Sequence, residues 1–215
     1  MAESFLPTKR TRVVREPHRG IYERDACYAI LDEALVCHIG FAADGQPFVI
    51  PTLFARSGET VYFHGSAASR MLRHLESGAP LCLTATLLDG VVLARSVFNH
   101  SMNYRSVVVL GVARKVDDVD EKRDALHAFT EKLLPGRWGE ARPPTANELA
   151  ATSILRLPLD EMSAKVRTGP PNDIEEDLAL RVWAGVIPLH IASAEPIADD
   201  RGVRELEAPD YPRFT

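Results

Sequence analysis

The chain has 215 residues and carries 30 acidic against 25 basic side chains, a formal net charge of −5. That length supports one complete hydrophobic core, and an acidic balance without a basic block excludes a general nucleic-acid binder, which needs clustered cations to displace phosphate counterions. No apolar run approaches the ~20 residues that cross a bilayer as a helix, and residues 1–20 lack the apolar centre of a signal peptide. Cys27, Cys37 and Cys82 sit in apolar settings with no C-x-x-C spacing. They read as buried, reduced thiols and imply a cytoplasmic protein.

Helical spacing comes first, over residues 21–35, where Tyr22, Ala26, Ala29, Ile30 and Ala34 share a face. Extended segments follow. Residues 35–41 and 48–56 flank Asp44-Gly45, a strong hairpin signal. Pro51 inside the second segment marks an edge, a bulge or a site. Residues 60–64 form the next strand and 67–77 a helix, ended at Gly78-Ala79-Pro80. Residues 81–88 alternate cleanly, and Asp89-Gly90 predicts a second hairpin into a strand over 91–96. A loop over 97–105 then leads into the most β-prone run, 106–115. Leu126, Phe129 and Leu133 give residues 120–134 an amphipathic helix, and Thr145 with Glu148 has capping-box spacing. The last strands fall over 153–157 and 162–167; the acidic run Asp173, Glu175, Glu176, Asp177 predicts a solvated helix start.

Six or seven short strands joined mostly by tight turns exclude a doubly wound parallel sheet. They predict a mainly β, α+β fold: an antiparallel split barrel with flanking helices. The whole of 1–215 reads as one domain, with 1–15 and 195–215 as peripheral extensions.

The segment Val61 to Leu72, VYFHGSAASRML, runs from a strand through small residues into a helix carrying Arg70 in its first turn. Unpaired N–H groups at a helix start, close approach over Gly65, the hydroxyls of Ser66 and Ser69, and a guanidinium would together cradle a phosphate. Arg70 would otherwise face solvent or pair with Glu76. His64 would contact that ligand, transfer protons, or bond a backbone carbonyl. The seven histidines show no H-x₃-H or His/Cys cluster, which excludes a structural zinc site.

The order helix, Asp-Gly hairpin, Pro51-Thr52, VYFHGSAASRML, second Asp-Gly, then Asn103-Tyr104-Arg105-Ser106-Val107-Val108-Val109 resembles the pyridoxamine 5′-phosphate oxidase-related family of FMN-binding split barrels. It is most similar to the flavin-nucleotide-binding branch with nitroimidazole-reductase-like members. Lys165-Val166-Arg167-Thr168-Gly169-Pro170-Pro171 and Trp183 through Pro188 share this likeness, which spans residues 10–190. The resemblance implies a homodimer with FMN in a cleft between subunits. His64, Gly65, Ser66, Ser69 and Arg70 would hold the phosphate end, Pro51 and Thr52 would lie beside the ring, and Asn103, Tyr104, Arg105 and Ser106 would approach it from the next long strand. Trp183 and the Lys165/Arg167 pair would close the site from the partner chain, although Trp183 has a neighbourhood that equally suits plain packing. The activity implied is electron transfer from a reduced donor through FMN to a small acceptor. The alternatives are a flavin carrier or redox sensor without turnover, and a haem- or F420-binding barrel, with a haem ligated by His64 or another histidine.

Overall fold

The computed structural model describes residues 3–199, 201, 206 and 208. In chain order the elements are β1 (Gly20–Ile21), α1 (Arg24–Glu33), β2 (Val36–Ala43), β3 (Gln46–Ser57), β4 (Thr60–Ser66), α2 (Arg70–Glu76), β5 (Pro80–Leu93), β6 (Ser101–Val112), β7 (Arg114–Lys115), α3 (Val119–Leu133), α4 (Arg137–Glu140), α5 (Ala146–Ala151), β8 (Thr152–Pro158), β9 (Glu161–Arg167) and β10 (Gly185–Pro188). The strands run in the order β1-β9-β6-β5-β2-β3-β4-β8-β7, with β10 added to β5. Every pairing is antiparallel. Among the described residues seven strands are seven residues or longer, and β1, β7 and β10 are short additions. The sheet stays open, which gives the expected split barrel. Among the described residues no helix is long and apolar enough to cross a membrane.

β3 creates the split. Its first part, to Leu53, pairs with β2, and from Phe54 onward it pairs with β4. One strand therefore belongs to both halves. Its side chains past the switch point serve two cores. Phe54 and Phe63 are fully buried in the barrel core with Leu83, Val107, Leu157 and Met162. Each such side chain contributes about 1.5–3 kcal/mol by leaving water. Ala55, Ile154 and Val116 face the other way, against Ala125 and Phe129 of α3. The second, smaller core fixes α3 across the outside of β3, β4 and β8.

Local signals explain most boundaries. Asp44 and Gly45 both take positive φ, 52° and 77°, as a two-residue hairpin turn requires. Thr145 and Glu148 form the full reciprocal capping box on α5. α2 begins at Arg70 rather than 67, because Ser69 N bonds to Ser66 O and the Ser69 hydroxyl accepts from Leu72 N. Residues 66–69 are thus a turn, and Ser69 is the cap.

Two sequence expectations fail at one place. Asp89-Gly90 is no hairpin: β5 runs on through it, and β6 begins at Ser101, inside the expected loop. The register with β6 slips between Leu88 and Gly90, a β-bulge. Burial switches phase there, from Leu81, Leu83 and Ala85 to Gly90, Val92 and Ala94. Asp89 does not turn the chain because its carboxylate is held by Arg105 of β6. Gly90 is small because β10 crosses it: a Cβ there would lie 2.8 Å from Val186 Cγ1 and 3.1 Å from the Ile187 carbonyl. The acidic run also differs from expectation. Residues 175–179 make a single 3₁₀ turn, and Asp173 is not solvated; its side chain is 2% exposed and takes two hydrogen bonds from Arg95.

Candidate functional site

Alternation along β4 sends Val61 and Phe63 into the barrel core and puts Tyr62 and His64 on the opposite face, beneath α3. Leu126, Phe129, Thr130 and Leu133, spaced three and four apart, present one side of α3 to this face. The chain then turns at Gly136, with φ +91°, and brings Trp138 of α4 and Arg142 back across the opening. The space between them is an open cleft of about 560 Å³ whose walls are mainly apolar.

His64 is its one imidazole. Its Nδ1 is sealed from solvent and has no hydrogen-bond partner. The ring stands edge-on to Phe129, with centroids 4.4 Å apart. Burial lowers its pKa below the usual histidine value, so the imidazole is neutral at physiological pH. At the rim, Arg142 grips Glu148 with bonds of 2.5 and 2.8 Å. That guanidinium and the Thr145 N–H and hydroxyl pull the Glu148 carboxyl down to about 2.

The expected site residues fall into separate groups. His64, Gly65, Ser66, Ser69 and Arg70 stay together at the β4–α2 turn. Ser66 Oγ accepts from Ala68 N, and Arg70 is exposed, with its Cζ 4.5 Å from the Phe48 ring centre. No carboxylate among the described residues pairs with Arg70. Pro51 and Thr52 lie on β3 opposite His38 and Cys37, just before Leu53, which lines the cavity.

A second group sits on β6 and β9. Tyr104 pairs with Arg167 and Ser106 with Lys165 across the ladder, and Ser106 Oγ donates to the Lys165 carbonyl. Asn103 and Arg167 are both buried; the Asn103 Oδ1 accepts from Arg167 while its Nδ2 donates to Gly169 O. Arg105 points elsewhere. It bonds both Glu33 and Asp89, which raise its already high pKa and occupy its donors. Trp183 belongs to neither group: it is 64% exposed, and its ring leans over Gly185.

The α3 wall, Trp138 and Arg142 were absent from the sequence-based site. The apolar face of α3 was visible, but its spacing is the same whether a helix covers a core or roofs a cavity. Trp138 just after Pro135-Gly136 was the available signal, since a turn that returns an aromatic residue to the preceding helix makes a wall.

Comparison with known proteins gives a consistent placement. The model of the family described as pyridoxamine 5′-phosphate oxidase matches residues 23–166. The flavocytochrome Anf3 from Azotobacter vinelandii is 43% identical, with 96% of each chain covered and a TM-score of 0.89. An FAD and haem binding protein from Mycobacterium smegmatis is 37% identical over 89% of this chain and 94% of its own, with a TM-score of 0.85. No curated protein matches the sequence. The family model spans more than half of the chain, and both solved structures align along nearly all of it, so this chain belongs to the pyridoxamine 5′-phosphate oxidase family.

Proposed function

We propose that this protein binds a flavin nucleotide and a haem and passes electrons between them. The observation that carries the haem is His64: a half-buried imidazole, held toward its neutral form, facing a mainly apolar cleft of about 560 Å³, within the range of small-molecule sites. Neutral imidazole is the ligating form. The relatives named as a flavocytochrome and as an FAD and haem binding protein supply the identity of the group.

The residues fit that group. His64 would hold the haem iron through the ring nitrogen other than its sealed Nδ1. A metal-bound histidine usually donates its second N–H to an acceptor. Nδ1 of His64 has none, so the ring would act as a plain neutral donor. Phe129 fixes the ring orientation, Leu126, Leu133 and Trp138 exclude water, and Arg142 at the rim would meet a propionate in exchange for part of its bond to Glu148. Attachment would be non-covalent: Cys37-His38 is preceded by Ala34, so the C-x-x-C-H pattern of covalent haem is missing.

For the flavin, Arg70 with Ser66 and Ser69 would hold a phosphate; FMN is the expectation from sequence, and the 37% identical relative favours FAD. A flavin takes up one or two electrons and a haem one, so the pair would couple a two-electron donor to a one-electron acceptor. A homodimer belongs to the same proposal. Ile174, Leu178, Leu180, Val182, Trp183 and Ile191 all stand exposed along one C-terminal arm, more than an isolated surface segment needs.

The test is the absorption spectrum and extracted cofactor mass of the purified protein. Flavin bands with a Soret band, and one haem per chain, are expected. Flavin bands alone, with no Soret band after haem is added, would reduce the protein to a flavin carrier or flavin-only oxidoreductase.

A further inference from the structure

Arg167 is 6% exposed and no carboxylate pairs with it among the described residues. Its hydrogen bonds go to neutral oxygens: Asn103 Oδ1, the Gly169 carbonyl at 3.4 Å and the Pro170 carbonyl at 3.3 Å. Among the described residues its Nε has no hydrogen-bond partner. A buried guanidinium without a counter-ion is costly, and here it borders a pocket of about 280 Å³. The other walls include His18, Arg19, Thr168 and Asn172. Among the described residues Glu16 is the carboxylate paired with them, 3.6 Å from both His18 Nε2 and Arg19 Nη2, too long for a firm hydrogen bond. Lys165, one turn of the pleat away, adds a further cation and spends one donor on the Arg15 carbonyl.

The site is distinct from the His64 cavity and from Arg70: it lies at the end of β9, under the segment before β1. In a chain of net charge −5, this cleft combines two guanidiniums and an imidazole against one loosely held carboxylate. The charge matches a phosphate group, which carries about −1.5 to −2 near neutral pH. Thr168 and Asn172 add neutral donors, and an arginine fork suits phosphate geometry.

We propose that this pocket binds the phosphate group of a phosphorylated ligand, with Arg167 as the buried anchor, Arg19 as the outer cation and His18 as a further hydrogen-bond partner. The ligand is either a free phosphorylated small molecule or the phosphate end of a resident nucleotide; the electrostatics are the same, and the proposal does not depend on haem binding.

Inorganic phosphate and pyrophosphate titrated calorimetrically into the purified full chain decide the matter, with His18→Gln/Arg19→Gln and Arg167→Gln compared. Saturable binding that weakens at least roughly tenfold in the variants supports the pocket and a free ligand. No binding to the wild-type chain, with nucleotide lost on gel filtration only from the variants, supports it and names the nucleotide as the source. Binding unaffected by the substitutions, or no binding with no change in nucleotide retention, overturns it. Arg167→Gln removes three hydrogen bonds from the fold. If that variant does not fold, the His18/Arg19 pair alone carries the decision.

Discussion

Replacing Gly90 by alanine puts a methyl group where β10 crosses β5. The new Cβ would stand 2.8 Å from Val186 Cγ1 and 3.1 Å from the Ile187 carbonyl oxygen. A valine methyl can rotate away, but the Ile187 carbonyl moves only if β10 moves. Overpacking of this kind costs about 1–3 kcal/mol. Detaching β10 instead would give up the ladder of four paired residues, at about 0.5–1.5 kcal/mol for each hydrogen bond. The cheaper response sets the outcome, so Gly90→Ala should lower stability by about 1–3 kcal/mol and lower Tm by about 2–4 °C for each kcal/mol. Urea unfolding gives the first number. Limited proteolysis gives the second readout, because Leu189 N also bonds Asp89 O and the arm loosens with β10. Gly45→Ala is the control: its φ of +77° costs about 1–2 kcal/mol in backbone strain, yet nothing lies within 4 Å of the added Cβ and the arm should stay protected. A Gly90→Ala protein as stable as wild type, with its arm uncut, would show that close crossing is not what Gly90 provides.

Lys132 donates to the Leu31 carbonyl at 2.8 Å and lies over the Phe54 ring, and burial brings its pKa down to about 8. Between that value and the ordinary lysine value the unfolded chain holds the extra proton, so this group makes stability rise with pH. Comparing wild type with Lys132→Met from pH 8 to 9 should reveal about 0.5–1 kcal/mol of that rise, allowing for partial exposure; identical pH slopes would contradict it. The comparison between the two proteins is needed because the buried thiols of Cys27 and Cys37, pushed up to about 11 and 12, act in the opposite sense from the ordinary thiol value of about 8.5 upward and are present in both. Thr145→Ala should cost about 1 kcal/mol by removing the α5 cap. Glu148, held low mainly by Arg142, loses its contribution as pH falls toward about 2, so the difference between Thr145→Ala and wild type should shrink in acid, as urea unfolding at pH 7 and 2.5 would show. Phe129→Leu keeps most of the buried volume but removes the edge-on contact with His64, at about 0.5–1.5 kcal/mol beyond area burial. Nuclear magnetic resonance titration should find the His64 pKa closer to its ordinary value in that variant, because the ring gains room and water; an unchanged value would dissociate Phe129 from the imidazole.

The elements that could be read from sequence are those whose signals are local. Asp44-Gly45, the Thr145–Glu148 box and the alternation from Leu81 to Ala85 each specify their own geometry. Asp89-Gly90 carries the same letters as a hairpin turn and makes a bulge, because Arg105 and β10, both distant in sequence, claim its side chain and its free space. Asp173 looked solvated beside other acids, and only the arrival of Arg95 buries it. The candidate site divides along the same line. The β4–α2 turn is contiguous and stayed together, whereas the cavity joins Leu53, His64, α3, Trp138 and Arg142 across four elements and a loop. Arg105 illustrates the cost of reading charge by position alone: a guanidinium placed for a phosphate is bonded to Glu33 and Asp89 instead.

The haem assignment is tested most directly by His64→Ala, expressed and purified beside the wild-type chain. Removal of the one imidazole lining the cavity should abolish the Soret band, or shift it to that of an unligated haem restored by added imidazole, while flavin content stays near wild type. A His64→Ala protein with an unaltered Soret band and full haem content would place the haem's protein ligand elsewhere and contradict the assignment.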